Sequence, residues 1–475
     1  MSDRAIRSVA ILGGGITGLS AALAFARALP QLAVTLVETP PDPAALADHL
    51  PGSTTAIHRF HASIGIEEQA LVRAGVAVPR LGLRFDDWPA GGESWYHVHG
   101  DHGPPGGAIA FHQLWARARR ERRAEAWHLY AAAGVLAGAG RFVHPQGKPG
   151  TPLATFDYAL RLDPERYRQM LAALVDRLRV TRLPGAFGGI ERREDGNVSV
   201  LLLADGNRIE ADLYLDASGA SAPLAQAMGG GFEDWSDCLP CDRVALAEAP
   251  SGALGPNDRV AGTARGWHFA SALPGRTILG EIWSAGRGGS DEGAVVIRPG
   301  RRADPWVRNT LALGDAAVAL DPLHWPNLHL AHSGIARALE LLPGRDCHPV
   351  EIAEYNRRSR EEAERMRDFQ ALHYLHKGGD AASLRVPASL AHTLQQFESR
   401  GRLPAYDEDS LPKEIWLSAL LGLGVLPRAI EPLAAGVPAD VAAARMAEMR
   451  AGLAQLPARV PSYADYLARC GVPRD

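Results

Sequence analysis

At 475 residues, with 46% hydrophobic and 22% charged residues, the chain has the composition of a globular protein and is long enough for two or three packed units. A formal charge of −4 gives no electrostatic attraction for nucleic acid or an anionic membrane surface, and four cysteines are too few for a disulfide framework, which fits a reducing cytoplasm. No apolar run approaches the roughly 20 residues that span a bilayer, and the first residues pass into a motif with no secretion signal expected before it.

The first element is VAILGGGITGLSAALAFARAL. Val9 to Leu12 read as a buried parallel strand, and Gly13, Gly15 and Gly18 match G-x-G-x-x-G ahead of an Ala/Leu-rich helix. Gly13 permits the tight turn, Gly15 admits a pyrophosphate, and Gly18 lets the helix pack close to the strand. The helix N-terminus offers free N–H groups and the positive end of its dipole to phosphates. A second strand, AVTLVE, ends at Glu38, where a carboxylate would accept hydrogen bonds from ribose hydroxyls. Strand, helix, strand and acid in register predict a dinucleotide site.

Further along, WYHVHGDH carries His97, His99 and His102; H-x-H on a strand suits a metal, and a surface or substrate-lining role suits it better. The Gly/Pro-rich stretches at 100–107 and 144–152 read as loops. ADLYLDASGASAPL is the strand and turn that commonly closes an FAD domain. Cys238 and Cys241 have no second pair nearby and read as structural. Arg301 and Arg302 could hold a substrate carboxylate but suit a structural loop pair better. In NTLALGDAAVALDP a short strand ends at Gly314-Asp315. It resembles the late G-D motif of FAD oxygenases, which implies a carboxylate beside the ribityl chain and a following helix aimed by its N-terminus at the flavin edge. These separated segments all fit one cofactor, FAD. DPLHWPNLHLAHSG then sets His324 and Trp325 beside the flavin or a substrate passage, with His329 and His332 on the following helix; no metal is expected there, because Pro326 interrupts the geometry. RRSREEAERMRDF reads as a helix with a solvated charged face.

Read together, the chain resembles the flavin-dependent tryptophan halogenase family almost end to end. The segments that carry the resemblance are GGGITGLSAALAF, LPGSTTAIHRFHASIGIEEQAL with RLGLRFDDW, FHQLWARAR, DASGASAPL, LPCDRVALA, PGRRADPWVRNTLALGDAA, DPLHWPN, EYNRRSREEAERMRDFQALHY and RVPSYADYL. The resemblance implies an α/β fold with a discontinuous Rossmann-type FAD-binding domain at 1–90, 150–235 and 295–345. A β-rich substrate layer is expected at 91–149 and 236–294, and a helical cap at 346–475. It also implies a cofactor set of Gly13, Gly15, Ile16, Gly18, Glu38, Thr39, Gly314, Asp315 and Leu323. Trp88, Trp267 and Trp325 fall in segments associated with the substrate pocket. The implied partners are a small aromatic or amino-acid-like substrate, a separate flavin reductase that supplies reduced FAD, and a second copy in a homodimer. In the family's chemistry reduced FAD and O₂ give a flavin hydroperoxide, halide is oxidised, and a lysine with a glutamate presents the halogen to an arene.

The departures from that pattern bear on the reaction. The lysine's place is taken by Arg80 and the glutamate's by His324. A buried lysine can become a neutral amine and take a halogen on nitrogen, whereas a guanidinium stays protonated. An imidazole can act as a base but supplies no fixed negative charge. The family's halide-binding Ser-Thr-Gly reads Trp325-Pro326-Asn327, and Pro326 has no N–H to offer. Of the W-x-W-x-I-P signature only Trp267 persists, in Trp267-His268-Phe269-Ala270-Ser271-Ala272. The expected activity is therefore oxidation of an electron-rich substrate by reduced FAD and O₂, either oxygenation or halogenation, with Arg80 and His324 catalytic. The alternative of another class is a catalytically silent protein that binds FAD or an amino acid or peptide.

Overall fold

The computed structural model describes residues 5–103, 109–148, 151–154, 156–288 and 291–472; parts of the two expected loops, residues 104–108, 149 and 150, lie outside them. Six strands make the first sheet, in the order Trp306–Val307, Thr310–Ala312, Leu213–Asp216, Ser8–Leu12, Ala33–Glu38 and Val180–Pro184. Every neighbouring pair is parallel except the first. Ser8–Leu12 sits mid-sheet, and its last four residues are buried, which explains the unbroken apolar run. Helix Ile16–Ala28 covers that strand through Ile16, Leu19, Leu23 and Phe25. A side chain on Gly18 would place its Cβ 1.9 Å from the Gly13 carbonyl oxygen, so only glycine permits this approach.

A second, seven-stranded sheet runs Val295–Val296, Arg243–Pro250, Arg276–Trp283, Gly266–Leu273, Asn257–Gly262, Gly82–Asp86 and Trp95–Val98. Two expected boundaries shift here. Gly82–Asp86, expected within the FAD-binding segment 1–90, pairs with Asn257–Gly262 in this second sheet. Among the described residues, segment 91–149, expected to be β-rich, supplies only Trp95–Val98 to it and otherwise holds helices Phe111–Arg120 and Ala132–Gly138 and the short helical turn Trp127–Tyr130. The reason is local: FHQLWARARR buries His112, Trp115 and Ala116 at helical spacing, and AAGVLAG is rich in helix formers. Between the sheets, Ala77–Arg80 pairs antiparallel with Ala159–Leu162, putting Val78 opposite Arg161 and Arg80 opposite Ala159. With side chains alternating along each strand, Arg80 and Arg161 share one face.

Beyond residue 346 every element is helical, led by Pro349–Leu375. Its charge-rich stretch is solvated only in its first half, where Arg357 pairs with Glu361 one turn on at 2.8 Å; Glu362, Arg365, Arg367 and Asp368 are all buried. Glu362 accepts hydrogen bonds from Ser333 Oγ at 2.8 Å and Arg337 Nη2 at 2.7 Å, and lies 3.4 Å from His329 Nε2. Burial alone would raise its pKa, but the His329 and Arg337 contacts outweigh it and hold the carboxyl at about 2. A depressed carboxylate stabilises above its ordinary value of 4.5, and the contribution fades as pH falls from there toward 2. Glu362→Gln is expected to cost about 3 kcal/mol at neutral pH. Its urea midpoint should approach that of the parent between about pH 5 and 3; a gap that stays constant over that range contradicts the assignment. No helix among the described residues is long and apolar enough to cross a membrane.

Candidate functional site

The glycine turn closes through Gly13 N–H to Val37 O at 2.9 Å and Gly14 N–H to Thr39 O at 2.8 Å. Gly13 has φ +130°, and a Cβ there would lie 2.3 Å from Ala217 O, so the turn demands glycine. At the helix start Asp48 Oδ1 accepts the Thr17 N–H at 3.2 Å, and a Cβ on Gly15 would meet Asp48 Oδ2 at 2.0 Å. Burial pushes the Asp48 pKa up to about 6, against the N–H groups of Thr17 and Ile16. A carboxylate oxygen thus already takes an N–H at this helix end, the kind of donor that phosphates take. Phosphates taking those N–H groups would have to displace Asp48, which carries the same charge. Asp48→Asn is expected to tighten FAD binding about 10-fold in a titration; unchanged or weaker binding contradicts it.

The other expected cofactor residues fall into two groups. Asp315 is buried beneath the 46–48 turn, with Oδ2 on Ala47 N–H at 2.8 Å and Oδ1 on the Asn327 amide at 2.9 Å. Burial raises its pKa to about 7. Asp48 lies within electrostatic reach of Asp315, and a Cβ on the adjacent Gly314 would meet Thr17 at 3.2 Å, so the two expected parts of the cofactor site lie side by side. Glu38 and Thr39 are more committed than the sequence suggests: Glu38 Oε1 accepts Arg182 Nε at 3.0 Å, and Thr39 Oγ1 donates to Gly185 O at 2.9 Å. Leu323 is wholly buried, its N–H on Asp321 Oδ1 at 2.9 Å and its carbonyl accepting Gln370 Nε2 at 2.8 Å.

Arg80, 1% exposed, donates from Nη2 to Ser53 O, and its Nε lies 3.4 Å from Asp258 Oδ2. The other Asp258 oxygen accepts Arg161 Nε at 2.7 Å and Ser271 Oγ at 2.6 Å. Two guanidinium groups therefore share one carboxylate, a buried cluster with one net positive charge. Burial lowers the Arg80 pKa to about 10, with Asp258 opposing and Arg161 assisting. Its partner Ser53 lines a cavity of about 450 Å³ with Thr54, His329 and Ser410, and a second cavity of about 260 Å³ is bordered by Thr55, His99 and Ile415.

The charge of Arg80 reaches His97, His99 and His324. His324 and Trp325 both have positive φ, +67° and +61°, which swings the chain into helix Pro326–Glu340. Such dihedrals are costly for non-glycine residues; bonds from Gln370 and the Asp321 carboxylate hold the preceding turn. The His324 ring packs against His97 at 4.6 Å, Phe369 at 4.7 Å and His373 at 4.4 Å between centroids. Burial, assisted by the Arg80 charge, drives the pKa of His324 and His99 far down and that of His97 to about 3, and burial takes His373 to about 3 as well. The cluster is a set of neutral imidazoles beside a cation. The turn offers an anion little: Trp325 N–H is spent on Pro322 O at 2.8 Å, and Pro326 has none.

The three tryptophans expected at a pocket are buried pillars. Trp88 Nε1 donates to His373 O and Trp267 Nε1 to Tyr374 Oη, each at 3.0 Å. Trp325 lies flat where a Gly52 Cβ would stand, 2.0 Å from its Cδ2, with Phe269 edge-on at 4.8 Å. His329 bridges Thr54 and Ser410 at 3.2 and 2.8 Å, while His332 stacks on Phe60 at 3.7 Å. Among the described residues no group of three potential ligands is placed to hold a metal. Arg301 pairs with Glu233, Arg302 bonds Ala316 O at 2.8 Å, and burial raises both Cys238 and Cys241 to about 12, so these read as structural. The residues that sequence reasoning missed are Asp48, Asp258 and His373; only the last carries a trace, its i, i+4 spacing from Phe369.

The tryptophan halogenase family model matches residues 8–439. Tryptophan 7-halogenase KtzQ of Kutzneria sp. (strain 744) is 25% identical, over 79% of this chain and 77% of that protein. Among solved structures, BrvH, a flavin-dependent halogenase from Brevundimonas sp. BAL3, superposes with a TM-score of 0.91 at 31% identity, covering 98% of this chain and 99% of its own. A flavin-dependent halogenase from Xanthomonas campestris gives 0.91 at 30% identity, covering 99% and 100%.

Proposed function

Because the chain belongs to the tryptophan halogenase family, we propose that it oxidises an electron-rich aromatic substrate at Arg80 and His324, by oxygen transfer rather than halogen transfer. It is an FAD-dependent enzyme. Reduced FAD from a separate reductase supplies, with O₂, the two-electron oxidation that puts one oxygen atom on the substrate and leaves the other as water. Family membership disfavours the silent flavoprotein.

The observation that carries the reading is Arg80 held in the Asp258–Arg161 cluster. With its pKa at about 10 it stays cationic at neutral pH, so it can hold an anion or a polar oxygen but forms no nitrogen–halogen bond. His324 supports the same outcome: a neutral imidazole takes a proton but does not stabilise a cationic ring as a carboxylate does. The substrate class is an indole, a phenol or an aromatic amino acid, entering by one of the two cavities. Halogenation is the second reading, favoured by full-length likeness to halogenases at 30–31% identity.

The test supplies a flavin reductase, O₂ and a panel of indoles, phenols and aromatic amino acids, with and without bromide, and reads product mass. Gain of one oxygen without halide supports the proposal; a halide-dependent halogen product with no oxygenated one overturns it. Exchanging both residues, Arg80→Lys with His324→Glu, is expected to raise halogen incorporation about 10-fold or more. Unchanged incorporation places the two residues away from the chemistry.

A further inference from the structure

His324 Nε2 lies 2.8 Å from His373 Nε2, and His373 Nδ1 lies 2.9 Å from Phe369 O. A carbonyl oxygen only accepts, so His373 Nδ1 carries a proton. Burial keeps both rings neutral, leaving each a single N–H. That of His373 is spent one helical turn back, and its Nε2 presents a lone pair. The proton between the rings therefore sits on His324 Nε2, and His324 Nδ1 is bare. His97 does not disturb this: its Nε2 donates to Ile415 O at 3.1 Å, and its buried Nδ1 has no hydrogen-bond partner among the described residues.

We propose that His373 is a positioning residue that fixes His324 in the Nε2–H tautomer, making His324 Nδ1 the atom that accepts the proton leaving the substrate. The proposal rests on the oxidation reading above for its chemistry, and on these contacts between two neutral rings for the tautomer. When Nδ1 takes the proton, the imidazolium keeps its Nε2–H on His373, so the ring does not turn. The flanking Phe369 and Phe85 rings hold the same orientation. Proton acceptance by Nδ1 needs no rearrangement of the cluster.

Nitrogen-15 NMR of the full-length chain labelled at histidine reads the tautomer directly, with His324 and His373 assigned by substitution. The expected spectrum has His324 Nδ1 and His373 Nε2 both unprotonated. In His373→Phe the His324 nitrogens should move toward their average as both tautomers fill, and kcat should fall about 10-fold at unchanged KM. His373→Gln, whose amide oxygen can accept the same hydrogen bond, should restore both. A protonated His324 Nδ1 in the parent spectrum overturns the proposal whether or not the variants fold, as does an unmoved tautomer in His373→Phe. Full kcat in His324→Gln would overturn the role of His324 as proton acceptor, even with the tautomer as expected.

Discussion

Gly15→Val is expected to leave the purified chain colourless with FAD, its affinity lowered by about 100-fold or more, equivalent to about 3 kcal/mol. The loss is one of space, not backbone strain. Gly15 has φ −80° and ψ −173°, which valine adopts readily, whereas its Cβ would stand 2.0 Å from the carboxylate oxygen now at the helix end. The branched side chain occupies the position an oxyanion must take to reach the Thr17 N–H. Gly13 would be a poorer probe, since φ +130° and the Ala217 carbonyl make any side chain there break the turn itself. Flavin absorbance after gel filtration reads the result; a variant that stays yellow contradicts the site.

Asp258→Asn is expected to be the most destabilising substitution in the substrate region, costing about 3–5 kcal/mol. Arg80, Arg161 and Asp258 are each no more than 1% exposed. Without the carboxylate charge, two guanidinium groups remain buried with only neutral acceptors. Arg80→Leu is different in kind, because it leaves one arginine for one aspartate, and buried pairs traded for apolar packing often cost little. It should fold and bind FAD while losing turnover. Urea unfolding compares the two; an Asp258→Asn midpoint equal to that of the parent refutes the shared-carboxylate cluster.

The parts of the fold legible in the sequence are those that local rules dictate. The run Val9–Leu12, the glycine spacing and the acid at Glu38 specify strand, turn and helix within thirty residues, and the structure builds them so. What escaped was decided by distant partners. Gly82–Asp86 reads as any apolar strand, and only its pairing with Asn257–Gly262 assigns it to the second sheet. Segment 111–138 took its expected β character from the surrounding domain pattern, against its own helical spacing. The charges of Glu362 and Asp368 look as solvated as those of 357–361 until the partners Arg337 and Ser389 are placed beside them. At the site, Arg80 and His324 are conspicuous because they replace residues of other chemistry. Asp258 meets Arg161 from 97 positions away and His373 meets His324 from 49 positions away, contacts that no motif records.

If Arg80 and His324 act on one substrate beside a bound flavin, removing either side chain should abolish product without loosening the flavin. Arg80→Leu and His324→Ala would be assayed beside the parent for product formed per reduced FAD consumed, with FAD affinity measured on the same samples. The expected result is parental FAD affinity with product lowered by about 100-fold in each. Undiminished product from both variants would contradict it.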